Sequence, residues 1–502
     1  MKNTSKLICL LLALMMILPM AVSCNKGNEE TTSENTNEGA ATTDSAQGNE
    51  AETDIFDMTD LDKVDLTDED YVIGYSSFSG STWIPKPVNV SKLEASKDTL
   101  SAASYKRDRE FEALTKANIV YESSNTNPND FTTGGNSEYV HIQQLEQVGD
   151  LKDYDMLMVG ARTAGAMMNH KVFLDLNEYD NLIHSDEKYY NSGINQQLSI
   201  GGKQLVTAGY YTINNIKGAQ CVTVNNTLLT QVNGEDKMEE LYTLALENQW
   251  TMEVLLEYNK GFASNDGNAA DAKYALVVSE FGSESLFFVL GGETIVKDDQ
   301  DLPTIALNSS ENVNLITYIQ SLTMDNELVY VVPQSGSGDM FVRGQALFQI
   351  GMIGALGAAK QNGYDERLMP VPTYAAGDAY RTDLPSWNAN VSGIPAQVED
   401  AEMAAYCYEL FMALSYQTIY PEYYQKLFAL QYVENATESQ IFDVIAESIY
   451  IDLATYYRWY EDYGNNVRRL VVGKDGPASG AETHADTLKV KVEEFLGNYN
   501  LG

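Results

Sequence analysis

Between Tyr71 and Val159 the chain alternates short β-rich runs with segments patterned for helices, and this alternation limits the fold more than any other feature. Residues 71–75 form a strand pattern, followed by a loop over 76–87 that carries Phe78, Gly80 and Trp83. Leucine and aromatic spacing over 105–114 predicts a helix, ahead of a second strand at 118–122. A further helix over 139–148 leads into residues 154–159, apolar throughout except for Asp155, as in a strand buried on both faces. Strand, helix, strand, helix, strand predicts an α/β body with a mostly parallel sheet. Ligands of such sheets lie beyond the carboxyl ends of the strands, which here are the loops at 76–83 and 160–165.

The first 24 residues read as an export signal: Lys2 and Lys6 precede an apolar run from Leu7 to Val22, broken by Pro19 and closed by small residues. That run is too short to span a bilayer comfortably. Ala21, Val22, Ser23 and Cys24 resemble the lipobox of bacterial lipoproteins, with Ala21 where the motif carries Leu. The resemblance implies cleavage after residue 23 and lipidation of Cys24; ordinary cleavage and free secretion is the alternative. Residues 24–64 are Ser, Thr, Asn, Gly and acidic residues with almost no apolar content before Ile55 and Phe56. Such a segment cannot offset its ordering entropy and reads as a tether, with a reach of roughly 35 Å.

About 440 residues remain, too many for one ordinary core, so two lobes are expected. Cys221 and Cys407 are the only cysteines beyond residue 24, and their wide separation gives neither a disulfide framework nor a metal spacing. Both are expected to be buried as small apolar side chains. The formal charge is -40, and loss of Lys2 and Lys6 with the signal makes it -42. That sign repels phosphate backbones and argues against a nucleic-acid partner. With 32 Tyr and four Trp, the composition allows an aromatic cleft.

Ordered motifs then resemble a known family. Residues 155–159, Arg162, Gly165 and the run Phe173, Leu174, Asp175, Leu176 match its strand, ligand loop and following segment. Leu241, Tyr242, Trp250 and Thr251 match a helix start, and Phe341, Gly344, Ala346, Leu347 and Phe348 precede a matching pair, Pro370 and Pro372. Ile394, Pro395, Glu409, Ser415, Tyr416, Pro421, Tyr423 and Tyr424 resemble the final third of Gram-positive members. The family is that of the extracellular solute-binding lipoproteins of bacterial ABC importers, family 1, carbohydrate-type. The resemblance implies a two-lobe periplasmic-binding-protein-like fold with hinge crossings and a ligand cleft. By position it puts the crossings at 221–226 and 388–394. It implies an amino-terminal lobe of 65–219 plus 393–435 and a carboxy-terminal lobe of 225–388 plus 440–498.

The same resemblance implies capture of a carbohydrate, an oligosaccharide above all, by lobe closure, and delivery to ABC permease subunits driven by a separate ATPase. It implies a monomer held by its lipid at the extracellular face of the cytoplasmic membrane, without cofactor, metal or catalysis. Candidate ligand contacts are Trp83, as a stacking platform or a core residue; Arg162 and Thr163 in the ligand loop; and Tyr210 and Tyr211 before the first crossing. Glu280 and Phe281 end a strand at 275–278, and Trp387, Asn388 and Asn390 stand at the second crossing, where an aromatic beside two amides suits hydroxyl recognition.

Other constellations support little. Asn265, Asp266, Gly267, Asn268 and Asp271 lack the bidentate Glu of a calcium loop and read as a polar turn. His141, His170, His184 and His484 show no zinc spacing. The stripe of Tyr456, Tyr457 and Trp459 reads as packing. The alternatives to a sugar receptor are a receptor for a peptide or polyamine and an exported glycan-active enzyme, since 72 acidic residues leave a catalytic carboxylate pair open.

Overall fold

A computed structural model describes residues 66–76, 99–131, 136–180, 182–185, 188–265, 271–423, 435–459 and 465–501. The signal, Cys24, the tether, Trp83, Asp266 to Asn268 and Tyr424 lie outside the described residues. The strands are β1 Asp70–Ser76, β2 Asn118–Ser124, β3 Met156–Gly160, β4 Gln220–Asn225, β5 Tyr274–Ser279, β6 Ile295–Lys297 and β7 Pro303–Ile305. They continue with β8 Val329–Val332, β9 Ala346–Met352, β10 Glu366–Met369, β11 Thr382–Asp383, β12 Asn390–Gly393 and β13 Ile449–Tyr450. Two sheets dominate, ordered β12-β3-β1-β2 and β10-β4-β9-β5-β8.

The first sheet follows from the strand and helix alternation. β1 pairs in parallel with β2, Asp70 opposite Asn118, and with β3, Ile73 opposite Met156. Helix α1 (Thr99–Thr115) joins β1 to β2, and α2 (Glu138–Val148) lies between β2 and β3. Ser137 caps α2 by accepting from the Val140 N–H at 3.2 Å, and Gly149 ends it at a φ of 81°, a conformation that favours glycine. Asp155, the one polar residue of the expected 154–159 strand, stands just ahead of β3. Its carboxylate accepts from the Val72 N–H at 2.7 Å, so it bonds to the neighbouring strand at the entry to an all-buried run. β12 is added antiparallel to β3, with Asn390 opposite Gly160.

The second sheet is mixed. β5 runs parallel to β8 and β9, while β4 runs antiparallel to β9 and β10. Every residue of β4 is buried, Cys221, Val222 and Val224 completely. Cys221 and Cys407 are both free thiols inside the protein, as their apolar surroundings required.

Helix α3 (Ala161–Met168) follows β3 directly, and α4 (Ala401–Tyr420), capped by Asp400, packs on α1. One core gathers β1, α1 and α4 around Ile73, Phe111 and Phe411, the two Phe rings meeting edge-on at 6.3 Å. Each fully buried Phe or Leu there contributes about 1.5–3 kcal/mol relative to exposure. Within it Glu409 is 1% exposed, yet accepts from Tyr190 Oη at 2.7 Å, Tyr189 Oη and the His184 N–H at 3.2 Å. A larger core runs from β3 and α3, through Val159 and Met167, into the second sheet at Val222 and Phe348.

No helix among the described residues is long and apolar enough to cross a membrane.

Candidate functional site

The carboxyl ends of the parallel strands in the first sheet release the loops that carry the first site residues. Gly160 ends β3 with an extended backbone, and its N–H donates to Glu138 Oε2 at 3.1 Å. Burial pushes the Glu138 carboxyl up to about 7, against the opposing effects of the nearby Thr163 hydroxyl and the Gly160 hydrogen bond. Thr163 donates from Oγ1 to the Pro128 carbonyl at 3.3 Å, tying the start of α3 to the loop after β2. Arg162, 2% exposed, donates from Nη1 to Asn129 Oδ1 at 3.2 Å, and its guanidinium lies 5.0 Å from the centre of the Phe131 ring.

Asn129 then reaches the segment that enters β12, donating from Nδ2 to the Trp387 carbonyl at 3.0 Å. The Trp387 side chain is half-buried and lies near the carboxyl of Glu284, two residues beyond the short turn that follows β5. Glu284 is 5% exposed, and its carboxyl is pushed up to about 8, first by burial and then by the charge of Asp383. The charges of Arg468 and Arg162 and the nearby Trp387 side chain oppose that rise. Arg458 closes the group, its guanidinium 3.5 Å from the centre of the Phe131 ring. Residues of both sheets and of the late chain thus meet around Phe131, Trp387 and Glu284.

Gly165 explains how the late segment comes so close. A Cβ at Gly165 would collide with the Tyr456 carbonyl and lie 2.7 Å from the Tyr457 Cα, so only glycine admits this backbone against α3. Tyr456, Tyr457 and Trp459 are 2%, 4% and 2% exposed; Tyr456 donates to the Leu384 carbonyl at 3.0 Å and Tyr457 to the Leu198 carbonyl at 2.6 Å. That stripe is packing, and it positions Arg458.

The remaining expected residues occupy three other places. Glu280 and Phe281 lie at the rim: Glu280 pairs with Lys474 at 2.6 Å, which holds its carboxyl below the ordinary value, and Phe281 is 45% exposed with the Arg468 guanidinium 5.3 Å from its ring centre. Asn388 and Asn390 are buried behind Trp387. Asn388 donates from Nδ2 to the Gly218 carbonyl at 3.2 Å, the Asn390 backbone exchanges two hydrogen bonds of 2.9 Å with the Asn215 side chain, and Asn390 Nδ2 donates to the Asn388 carbonyl at 3.3 Å. These bonds tie the entry to β12 to the short helix over Asn214–Gly218 that precedes β4. Tyr211 is buried in the core around α4, and the Tyr210 ring stands 4.8 Å from Tyr420 and 5.4 Å from Tyr416.

Sequence reasoning missed Asn129, Phe131, Glu284, Arg458 and Arg468. The one local signal was the nearness of Arg458 and Arg468 to the aromatic stripe. A separate pocket of about 140 Å³ lies between α2 and the first sheet, lined by Tyr75, Glu122, His141 and Tyr154 among others. It shares with the site only Glu138. Among the described residues no group of three or more His, Cys, Asp or Glu is arranged to hold a metal ion.

No protein-family model and no curated protein sequence matches the chain. Solved structures do. A cyclo/maltodextrin-binding protein complexed with maltotetraose is 13% identical, with 84% of this chain and 97% of that one covered at a TM-score of 0.50. The maltose-maltodextrin binding protein of the thermoacidophilic bacterium Alicyclobacillus acidocaldarius is 10% identical, with 84% and 100% covered and a TM-score of 0.50. The fold is the two-lobe binding-protein fold. An ABC substrate-binding protein from Listeria monocytogenes in complex with cycloalternan is 14% identical over 85% of this chain and 99% of that one, with a TM-score of 0.48. At such identities the likeness gives the fold, and the ligand has to be argued from the site.

Proposed function

We propose that this chain is the substrate-binding lipoprotein of an ABC importer, which captures an extracellular oligosaccharide between its lobes and presents it to a permease. The observation that carries this reading is the meeting of Phe131, Arg162, Trp387, Glu284 and Phe281 at the loops of two sheets in a fold shared over 84% of this chain with maltodextrin-binding proteins. Aromatic rings stack on the apolar faces of sugars, while guanidinium, carboxyl and amide groups bond hydroxyls. Lobes that close on such a ligand expel water, strengthen each polar contact and give the loaded protein a shape that a permease distinguishes from the empty one.

The protein contributes affinity and a conformational signal, and no catalysis. The lobes are taken as 65–219 plus 393–435 and 225–388 plus 440–498, with Cys24 lipidated and residues 24–64 tethering a monomer to the extracellular face of the membrane. Trp83, Thr163, Tyr210, Tyr211, Glu280, Asn388 and Asn390 belong to the proposal as ligand contacts or their supports.

A thermal-shift screen of the protein against neutral oligosaccharides, with polyamines and peptides as controls, tests it. Binding to the native state raises the melting temperature by mass action. The reading predicts a rise with one glycan class and recovery of that glycan intact. A rise confined to cations or peptides, or hydrolysis of the glycan, would contradict it.

A further inference from the structure

We propose that the pocket between α2 and the first sheet is a second binding site, which takes a small organic cation, a short-chain alkylammonium ion, against the carboxyls of Glu138 and Glu122 and the ring of Tyr154. The site is separate from the glycan site and stands or falls without the carbohydrate reading. One residue opens the pocket. The register sets Gly74 of β1 opposite Glu122 of β2 and Leu157 of β3, so these three share a row on the sheet face that α2 covers. A Cβ at Gly74 would lie 2.8 Å from Leu157 Cδ2 and 2.8 Å from Tyr154 Cδ1, so the missing side chain is what leaves the space. A glycine inside a strand often marks such a place of close approach. The opposite wall is one face of α2, with Glu138, His141, Ile142 and Leu145 at helical spacing.

Size and charge define the occupant. The cavity is about 140 Å³, and a cavity of about 150 Å³ admits a ring the size of benzene. It therefore suits a ligand of five or six non-hydrogen atoms rather than an oligosaccharide, by that same measure. Glu138 is 2% exposed, and among the described residues neither it nor Glu122 forms an ion pair with Lys or Arg. The other polar groups of the pocket bring no positive charge. Burial lowers the pKa of His141 from its ordinary value, leaving the imidazole mostly neutral above pH 6.5. The Tyr154 hydroxyl, raised to about 12 by burial and by the nearby Glu122, also stays neutral. An ammonium head supplies the missing counter-charge and bonds to carboxylate oxygens, and an aromatic ring beside it adds a cation–π contact. The alkyl tail finds Ile142, Leu145, Leu157 and Val159. A carboxylate ligand would be repelled, and an alcohol would leave the carboxyls unpaired. The bound cation favours the ionised form of Glu138, whose carboxyl sits at about 7 in its absence, so affinity should rise with pH through that range.

The test is calorimetric titration of the full chain with n-butylammonium chloride, against n-butanol and butyrate of matching length. The expected result is saturable binding of the ammonium ion alone, strengthening several-fold from pH 6.5 to 8. Glu138→Gln keeps an acceptor for the Gly160 N–H and removes the charge; it should lower the affinity about tenfold and flatten the pH dependence. Gly74→Ala places a methyl against Leu157 and Tyr154 and should abolish binding. Ligand-free melting curves show which variants fold, and the Glu138 variant decides the matter if Gly74→Ala does not. Trp387→Ala, in the glycan site, should leave the titration unchanged. Failure of butylammonium to saturate, equal binding of n-butanol, or full affinity in Glu138→Gln would overturn the proposal. So would loss of binding in Trp387→Ala, which would put the cation in the glycan site. None of these results bears on whether a glycan binds.

Discussion

Trp387 is the residue on which the site turns, because its carbonyl holds Asn129 of the loop after β2 while its side chain lies near Glu284, beyond the end of β5. Trp387→Ala should weaken glycan binding by at least about 1 kcal/mol, read by titration calorimetry, with the far-UV spectrum unchanged; unaltered affinity would remove it from the site. Gly165 carries a different burden. Gly165→Ala forces a methyl into the backbone of Tyr456 and Tyr457 and should destabilise the fold by about 3 kcal/mol in urea denaturation. A loss under 1 kcal/mol would show that the late segment is free to move away from α3. Arg162 was legible in the sequence only through its place after an apolar strand in an ordered set of motifs. Phe131 was not, and Arg458 only by its place within an aromatic stripe, since what joins them is a contact across more than 300 residues of chain that no local pattern encodes. Asn388 and Asn390 illustrate the converse: amides beside an aromatic suit hydroxyls, but buried backbone also needs partners, and here the carbonyls of Gly218 and Asn388 take the two amide N–H groups.

At the scale of elements, the early strands and helices were readable because burial on both faces leaves an uninterrupted apolar run, as in β3. Their ends were less so. The first helix already includes Thr99 to Ser104, ahead of the expected 105–114, because that stretch carries little apolar pattern and only Ala103 and Ser104 of it are buried. The antiparallel placement of β4 and β12 depends on pairing across distant chain and had no local sign. Helix α4 holds its core through Glu409 as well as through apolar packing. Glu409→Ala leaves Tyr189, Tyr190 and the His184 N–H without their acceptor and should cost about 3 kcal/mol or more, measured by chemical denaturation. A change below 1 kcal/mol would mean that these donors find other partners.

Across the whole molecule, four buried carboxyls share one consequence. Glu284 is pushed up to about 8, Asp383 and Glu138 to about 7 and Asp452 to about 6, burial being the first cause in each. The folded protein therefore holds protons that the unfolded chain releases near its ordinary carboxylate values. Their contribution to stability is present below about pH 4 and is lost as pH rises through 6 to 8, at about 1.4 kcal/mol per proton per pH unit. The melting temperature should fall between pH 5 and 8, and Glu284→Gln should flatten the upper part of that decline; a level profile in the parent protein would contradict the burial of these groups.

The central claim, that two lobes capture a sugar without altering it, is tested most directly by calorimetric titration of the full chain with the glycan that raises its melting temperature, followed by chromatography of the recovered glycan. The account predicts saturable one-to-one binding and return of the glycan at its original length. Absence of saturable binding by any glycan, or recovery of shortened products, would contradict it.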